Sequence, residues 1–321
     1  MILVQIAEGR EALENLSAEW ESFAVADAGF ATVFSHPAWY LAWLDVFPQS
    51  TAAVITARAD GRLVGLLPMA RIRTDARGMY LSRVAPVAPG MTDYQPPLVV
   101  EMYAPEALPA MLDAAIRYFG PRGVYWWPNV PVAGPCLDIL RAYLKKHGMT
   151  YFEEYETAPR VRLEGDAFFH TESKWTASHR KDVRRQRKRL QEQGPVSLWQ
   201  PSSLEEAEPV LEEFFRVHDE KWLAQGFPGI FHNSATRSHF QSMLRRLLGK
   251  GLHFSTIRCG DTDVSYHFGF LSGGWLLWYR PSYRQEYSGY SPSKIHVAML
   301  MEEGHRLGWQ GFDFLLGEEP Y

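Results

Sequence analysis

One order of elements occurs twice along this chain, and it limits the fold more than any single motif does. Residues 52–59 and 63–70 are strand-like and meet at Asp60-Gly61, a strong hairpin-turn signal. Residues 253–258 and 264–271 repeat the arrangement around Gly260-Asp261. The first hairpin is followed by a strand over 79–84, a Pro/Gly-rich loop over 85–97, an amphipathic helix over 105–119 and a strand over 124–127. The second is followed by a strand over 275–279, a polar loop over 280–289, a helix over 292–306 and a strand over 312–316. Residue identity between the copies is poor, so the repeat is one of order. A continuous doubly wound sheet would need regular βαβ alternation, which both hairpins break. The expectation is an α/β (α+β) chain of two tandem lobes, 1–160 and 161–321, each a mixed, mostly antiparallel sheet flanked by helices. With 321 residues, 46% of them hydrophobic, there is enough apolar material to fill two cores.

Local signals mark the remaining elements. Ser35-His36-Pro37 opens a helix, with Ser35 as the expected N-cap and Pro37 in the first turn. A basic helix over 174–193 ends at Gly194-Pro195. Ser202 and Ser203, followed by Glu205 and Glu206, form a capping-box signature. The helix they start carries Phe214, Phe215, His218 and Trp222 at helical spacing.

Several classes are disfavoured. A net charge of −4 does not suit a surface built throughout for nucleic acid. Cys136 and Cys259 form neither a disulfide framework nor a zinc-site spacing. His296 and His305, with Glu302 and Glu303, do not make His-Glu-x-x-His, so no metal is expected. The N-terminus has no basic signal-peptide region, and no apolar run reaches about 18 residues. A soluble, cytoplasmic protein without a membrane span is expected.

The segment from Trp275 onward carries the chemistry. A strand runs through a loop into a helix start, where free backbone N–H groups and the helix dipole favour a phosphate. Ser291 and Ser293 can add hydroxyl donors, Lys294 a charge, and Gly289 close backbone approach. An ordinary Ser-Pro helix cap would look the same. Asp313 alternates with Phe312 and Phe314 on the last strand, so it is either a buried structural acceptor or a site base. His267, between Tyr266 and Phe268, is either a base that orients the acceptor or a satisfied core histidine.

This segment resembles the GNAT superfamily of acyltransferases. Glu286-Tyr287-Ser288-Gly289-Tyr290-Ser291 stands where that superfamily has Gln/Arg-x-x-Gly-x-Gly/Ala, keeping one glycine. Over the whole chain the resemblance is to its cellulose biosynthesis protein CelD-like branch, itself similar to the FemABX peptidyltransferases. It is carried by Ser35-His36-Pro37-Ala38-Trp39, the arginine-rich stretch 184–190, His218 with Lys221-Trp222, and Phe312-Asp313-Phe314 with the ending Gly317 to Tyr321. The resemblance implies acyl-CoA as co-substrate, its phosphates at Gly289, Tyr290, Ser291, Ser293 and Lys294, and its pantetheine arm along the strand ending at Tyr279 and Arg280. It implies catalytic roles at Asp313 and His267 and a small-molecule or saccharide acceptor, with a link to exopolysaccharide or envelope biosynthesis. Glu318 and Glu319 face either the acceptor or solvent. FemABX enzymes use aminoacyl-tRNA, so Arg184, Arg185, Arg187, Lys188 and Arg189 are a candidate site for tRNA or another polyanion. A third alternative is a GNAT scaffold that binds a partner without turnover. The family pattern continues past Tyr321 with a lysine and a further hairpin, so the last sheet is expected to show an open edge or the sequence to be cut short.

Overall fold

The structure is a computed structural model and describes residues 1–26, 32–47, 51–76, 79–88, 91–165 and 168–317. It divides into two compact units, Met1–Tyr155 and Glu156–Tyr321. Each is a mixed, mostly antiparallel sheet flanked by helices, the tandem arrangement that the repeated order predicts.

The first unit runs β1 (Ile2–Glu8), α1 (Gly9–Ala26), α2 (Pro37–Val46), β2 (Thr51–Ala59), β3 (Arg62–Ala76), β4 (Met79–Pro86), β5 (Leu98–Val99), α3 (Ala104–Phe119), β6 (Val124–Tyr125) and α4 (Cys136–Lys146). The sheet order is β1-β2-β3-β4-β6, with β5 beside β3. Only β4 and β6 pair in parallel, because α3 carries the chain back across the sheet between them. Its stripe of Ala107, Leu108, Met111 and Ala115 packs on Ile55, Ala57, Leu67 and Met69. The cap of α2 is His36, not Ser35: His36 Nδ1 accepts the Ala38 N–H at 3.1 Å. Ser35 closes a short 3-10 turn, and its carbonyl is taken by the Trp20 indole.

The second unit runs β7 (Arg160–Arg162), α5 (Phe168–Ser173), α6 (Ala177–Gln191), β8 (Val196–Trp199), α7 (Leu204–Leu223), α8 (Ser234–Leu247), β9 (Leu252–Cys259), β10 (Thr262–Ser272), β11 (Trp275–Tyr283), α9 (Pro292–Leu307) and β12 (Gly311–Asp313). The sheet order is β7-β12-β11-β10-β9-β8. The parallel pair is again the one bridged by a helix, here β11 and β12 across α9. Strand, two helices, three strands, helix, strand: apart from the short β5, β8 to β12 repeat the path of β1 to β6.

Strand alternation sorts the side chains of this sheet onto two faces. Phe254, Tyr266 and Phe268 meet Phe214 of α7, and Phe268 also meets Phe240 of α8. On the opposite face Leu276, Trp278 and Phe312 meet Val297, Leu300 and Met301 of α9. Leu190 of α6 joins Ile257, Val264 and Ile295 on that same face.

Three local expectations change. The basic helix starts later than expected, at Ala177, because Thr176 caps it by accepting the His179 N–H. β11 runs on to Tyr283, through residues whose polarity suggested a loop. The outer edge of β12 is covered: β7 pairs with it antiparallel from Gly311↔Arg162 to Asp313↔Arg160.

Candidate active site

β11 and β12 lie in register from Trp275↔Gly311 to Leu277↔Asp313 and then part. β12 ends at Asp313 while β11 continues to Tyr283, and among the described residues no strand pairs with β11 beyond Leu277 on that side. Backbone groups inside a sheet are normally paired, so this opening is a place where an extended, amide-bearing ligand can complete the ladder. A non-glycine residue in the left-handed backbone region stands on each side of it, Leu315 at φ 62° and Ser291 at φ 51°. Such residues cost about 1–2 kcal/mol each and concentrate at functional sites.

Asp313 is fully buried. Its Oδ2 lies 2.8 Å from Arg160 Nε, and its Oδ1 accepts the Leu315 N–H at 2.8 Å. The carboxylate thus ties the end of β12 to β7 and supports the strained turn after it.

His267 sits across a bulge. Phe268 pairs with Arg280 and Phe270 with Leu277, so Gly269 alone faces both Trp278 and Tyr279. His267 Nε2 accepts the Tyr279 N–H at 3.3 Å, and its ring stacks on Trp278 with centroids 4.2 Å apart. Burial holds its pKa well below the usual histidine value, so the ring is neutral. A neutral imidazole that accepts at Nε2 carries its proton on Nδ1. Its lone pair is therefore committed to the backbone of β11.

At the start of α9, Ser291 occupies the cap position without a side-chain cap bond, and its carbonyl accepts the Lys294 N–H at 3.0 Å. Ser293, the second helical residue, has no acceptor within α9 for its N–H. Gly289 lies in a 3-10 turn, Gln285–Tyr290, and open space surrounds the position its Cβ would take. Arg189 of α6 donates to the Gly289 carbonyl at 3.1 Å and lies 5.1 Å over the Tyr290 ring. Lys294 Nζ is 3.3 Å from Asp182 Oδ2. Gly289, Tyr290, Ser291, Ser293 and Lys294 are thus brought together. Tyr279 and Arg280 are elsewhere: the Tyr279 ring packs between Phe240 and Phe270, on the α7–α8 face. Sequence reasoning missed Arg189 and Asp182 as loop contacts, since nothing local marks a partner so distant along the chain.

Most of the basic run on α6 is spent inside the unit. Arg184 pairs with Glu172, Arg185 with Asp182, and Arg187 with Glu302. Arg180 donates to the carbonyls of Ser173 and Trp175 at the end of α5. Lys181 and Lys188 alone in the run make no such contact among the described residues. Glu318 and Glu319 lie outside the described residues.

The corresponding place in the first unit is filled. The Gln95 N–H reaches the Asn129 carbonyl, the Asn129 amide donates to the Thr92 carbonyl, and Trp39 Nε1 donates to Thr92 Oγ1. The loop after β4 is thereby bonded to the chain beyond β6. Among the described residues of the whole chain, no group of three His, Cys, Asp or Glu side chains is placed to hold a metal.

Residues 177–321 match the family described as acetyltransferase (GNAT) domain. The matched residues lie wholly within the second unit. Among solved structures, FemX is similar over 95% of this chain and 88% of its own, at 12% identity and a TM-score of 0.66. L-PGS from Bacillus licheniformis is similar over 94% of this chain and 76% of its own, at 16% identity and a TM-score of 0.54. The C-terminal domain of a putative lysylphosphatidylglycerol synthetase from Agrobacterium fabrum covers 95% and 78%, at 10% identity and a TM-score of 0.53. At these identities the likeness is one of fold, and it extends across both GNAT-like units. No curated protein sequence matches the chain. Among the described residues, no helix is long and apolar enough to cross a membrane.

Proposed function

We propose that the second unit transfers an acyl group from acyl-CoA to an amine or hydroxyl of a small-molecule, saccharide or envelope precursor, as an acyltransferase of the CelD-like branch acting in the cytoplasm. The observation that carries this reading is the opening between β11 and β12 that runs toward the start of α9. The two amides of a pantetheine arm suit the unpaired edge of β11. The Ser293 N–H, the Ser291 and Ser293 hydroxyls, Lys294 and Arg189 suit a pyrophosphate at the helix start.

In the reaction the acceptor nitrogen or oxygen attacks the thioester carbonyl. A C–N or C–O bond forms, the C–S bond breaks, and CoA leaves as the thiol with the proton the acceptor gives up. Holding both reactants in line supplies much of the acceleration such a site needs. Asp313 and His267, catalytic candidates from the sequence, serve this reading as positioning residues. One fixes the end of β12 and the other the bulge of β11, on either side of the reacting carbonyl.

Isothermal titration with acetyl-CoA and a longer acyl-CoA tests the donor, with a rise in melting temperature expected on saturation. Absence of binding by any CoA thioester far above micromolar concentration removes the proposal. An aminoacyl-tRNA donor is the second reading, favoured by the fold shared with the lysylphosphatidylglycerol synthetase domain. It requires salt-sensitive tRNA binding that weakens in a Lys181→Ala, Lys188→Ala variant. The ion pairing of the α6 arginines speaks against it.

A further inference from the structure

Consecutive residues of a regular strand point to opposite faces of a sheet. Tyr279 and Arg280 do not: the Arg280 guanidinium lies 4.2 Å over the centre of the Tyr279 ring. The β11 bulge accounts for this, since two residues there stand against Gly269 alone and the alternation slips by one. Arg280 is consequently paired with Phe268 and shares the α7–α8 face with it. The helix start that suits the donor phosphates belongs to α9, on the opposite face.

The bulge is built by two neighbouring residues of β10. The His267 ring folds along its own strand to receive the Tyr279 N–H, and it can do so only over a glycine. A Cβ on Gly269 would stand 2.1 Å from His267 Cε1 and 2.5 Å from the Leu277 carbonyl oxygen. Side chain, glycine and bulge therefore form one device, and its product is the placement of Arg280.

Around Arg280 the other charges are satisfied. Arg216 and Arg284 share Glu213. His218 of α7, next to Arg280, is held neutral chiefly by burial, its pKa pushed down to about 4, and its Nε2 accepts the Trp222 indole N–H at 3.1 Å. Arg280 has no carboxylate partner among the described residues; its hydrogen bond is to the Tyr279 carbonyl. A half-buried guanidinium stacked on an aromatic ring, with no counter-charge, is suited to bind an oxyanion.

We propose that Arg280 recognises an anionic group, a carboxylate or a phosphate, on the acceptor, and that His267 and Gly269 position it for this by fixing the bulge. The assignment of that anion to the acceptor rests on the acyl-transfer reading above.

The test follows the guanidinium resonances of protein labelled with ¹⁵N-arginine, with Arg280 identified by its loss in Arg280→Lys. Inorganic phosphate and acetate are titrated separately. A saturable shift of Arg280 is expected, and the tighter anion distinguishes phosphate from carboxylate. His267→Gln, whose amide oxygen can take the Tyr279 N–H, should keep the response. His267→Leu and Gly269→Ala should weaken it about tenfold. Should Gly269→Ala fail to fold, the two His267 variants carry the comparison. Acetyl-CoA affinity, measured in parallel, should be unchanged in Arg280→Gln. The proposal is overturned if neither anion moves Arg280, if His267→Leu responds like His267→Gln, or if Arg280→Gln loses acetyl-CoA binding. If wild-type protein binds no acetyl-CoA while Arg280 still takes an anion, the donor reading fails and the anion site stands.

Discussion

At the scale of single residues, Asp313 shows what alternation can and cannot reveal. The pattern Phe312-Asp313-Phe314 puts the carboxylate on the opposite face from two aromatic rings, and it is indeed fully buried. Its partner Arg160 comes from β7, far away in the chain, and no local pattern joins the two. Replacing Asp313 by alanine removes the ion pair with Arg160 and releases the Leu315 turn. The expected loss is about 3 kcal/mol, from breaking an ion pair with one buried member. Asp313→Asn keeps an oxygen for the Leu315 N–H and should lose less. Chemical denaturation of both variants checks the order, and equal losses would mean that the turn bond contributes nothing.

At the scale of elements, most of the fold is legible because its signals are local. Asp60-Gly61 and Gly260-Asp261 mark both hairpins, and apolar spacing marks α3, α7 and α8. The capping box at α7 forms with a shift: Ser203 accepts the Glu206 N–H, while the Glu206 carboxylate returns to the Ser202 N–H. The misses have non-local causes. β11 reads as ending at Tyr279 because a bulge disrupts its alternation. Ser291 looks like an N-cap, yet its left-handed backbone keeps the hydroxyl from capping. The α6 run looks like a polyanion surface because sequence does not disclose that Glu172 and Glu302 neutralise two of its arginines. Function should therefore divide along α6. Arg184→Ala removes an ion pair between an exposed arginine and a mostly buried glutamate and should cost about 1 kcal/mol, leaving acetyl-CoA affinity intact. Arg189→Ala frees the Gly289 carbonyl and the Tyr290 ring and should weaken acetyl-CoA binding about tenfold. Calorimetric titration separates the two, and equal effects would argue against Arg189 as the link between α6 and the phosphate loop.

At the scale of the whole molecule, the units differ in how they meet acid. The second unit buries His218, His239, His253, His267 and His296. Burial pushes His218 and His253 down to about 4, His296 down to about 3, and His267 well below the usual value. In the first unit His36 is only partly buried and His147 is exposed. Unfolded histidines titrate near 6.5, so above that pH both states are neutral and these groups leave stability unchanged. Below it the unfolded chain takes up protons that the folded unit refuses, and stability falls as the pH drops toward each group's lowered folded value. The slope approaches about 1.4 kcal/mol per pH unit for each histidine, or about 6 kcal/mol per pH unit for the four with lowered values together. That is comparable to the whole stability of a typical domain. Hydrogen exchange between pH 7 and 4.5 should show β9, β10 and β11 losing protection before β2 and β3. His253 sharpens the expectation, since neither of its ring nitrogens has a hydrogen-bond partner among the described residues. His253→Phe removes two unsatisfied polar atoms and one of the four protonation sites. It should raise stability by about 1 kcal/mol at neutral pH and move the acid transition of the second unit downward. Simultaneous loss of protection in both units, or an acid midpoint untouched by His253→Phe, would show that buried histidines do not set the acid limit of this protein.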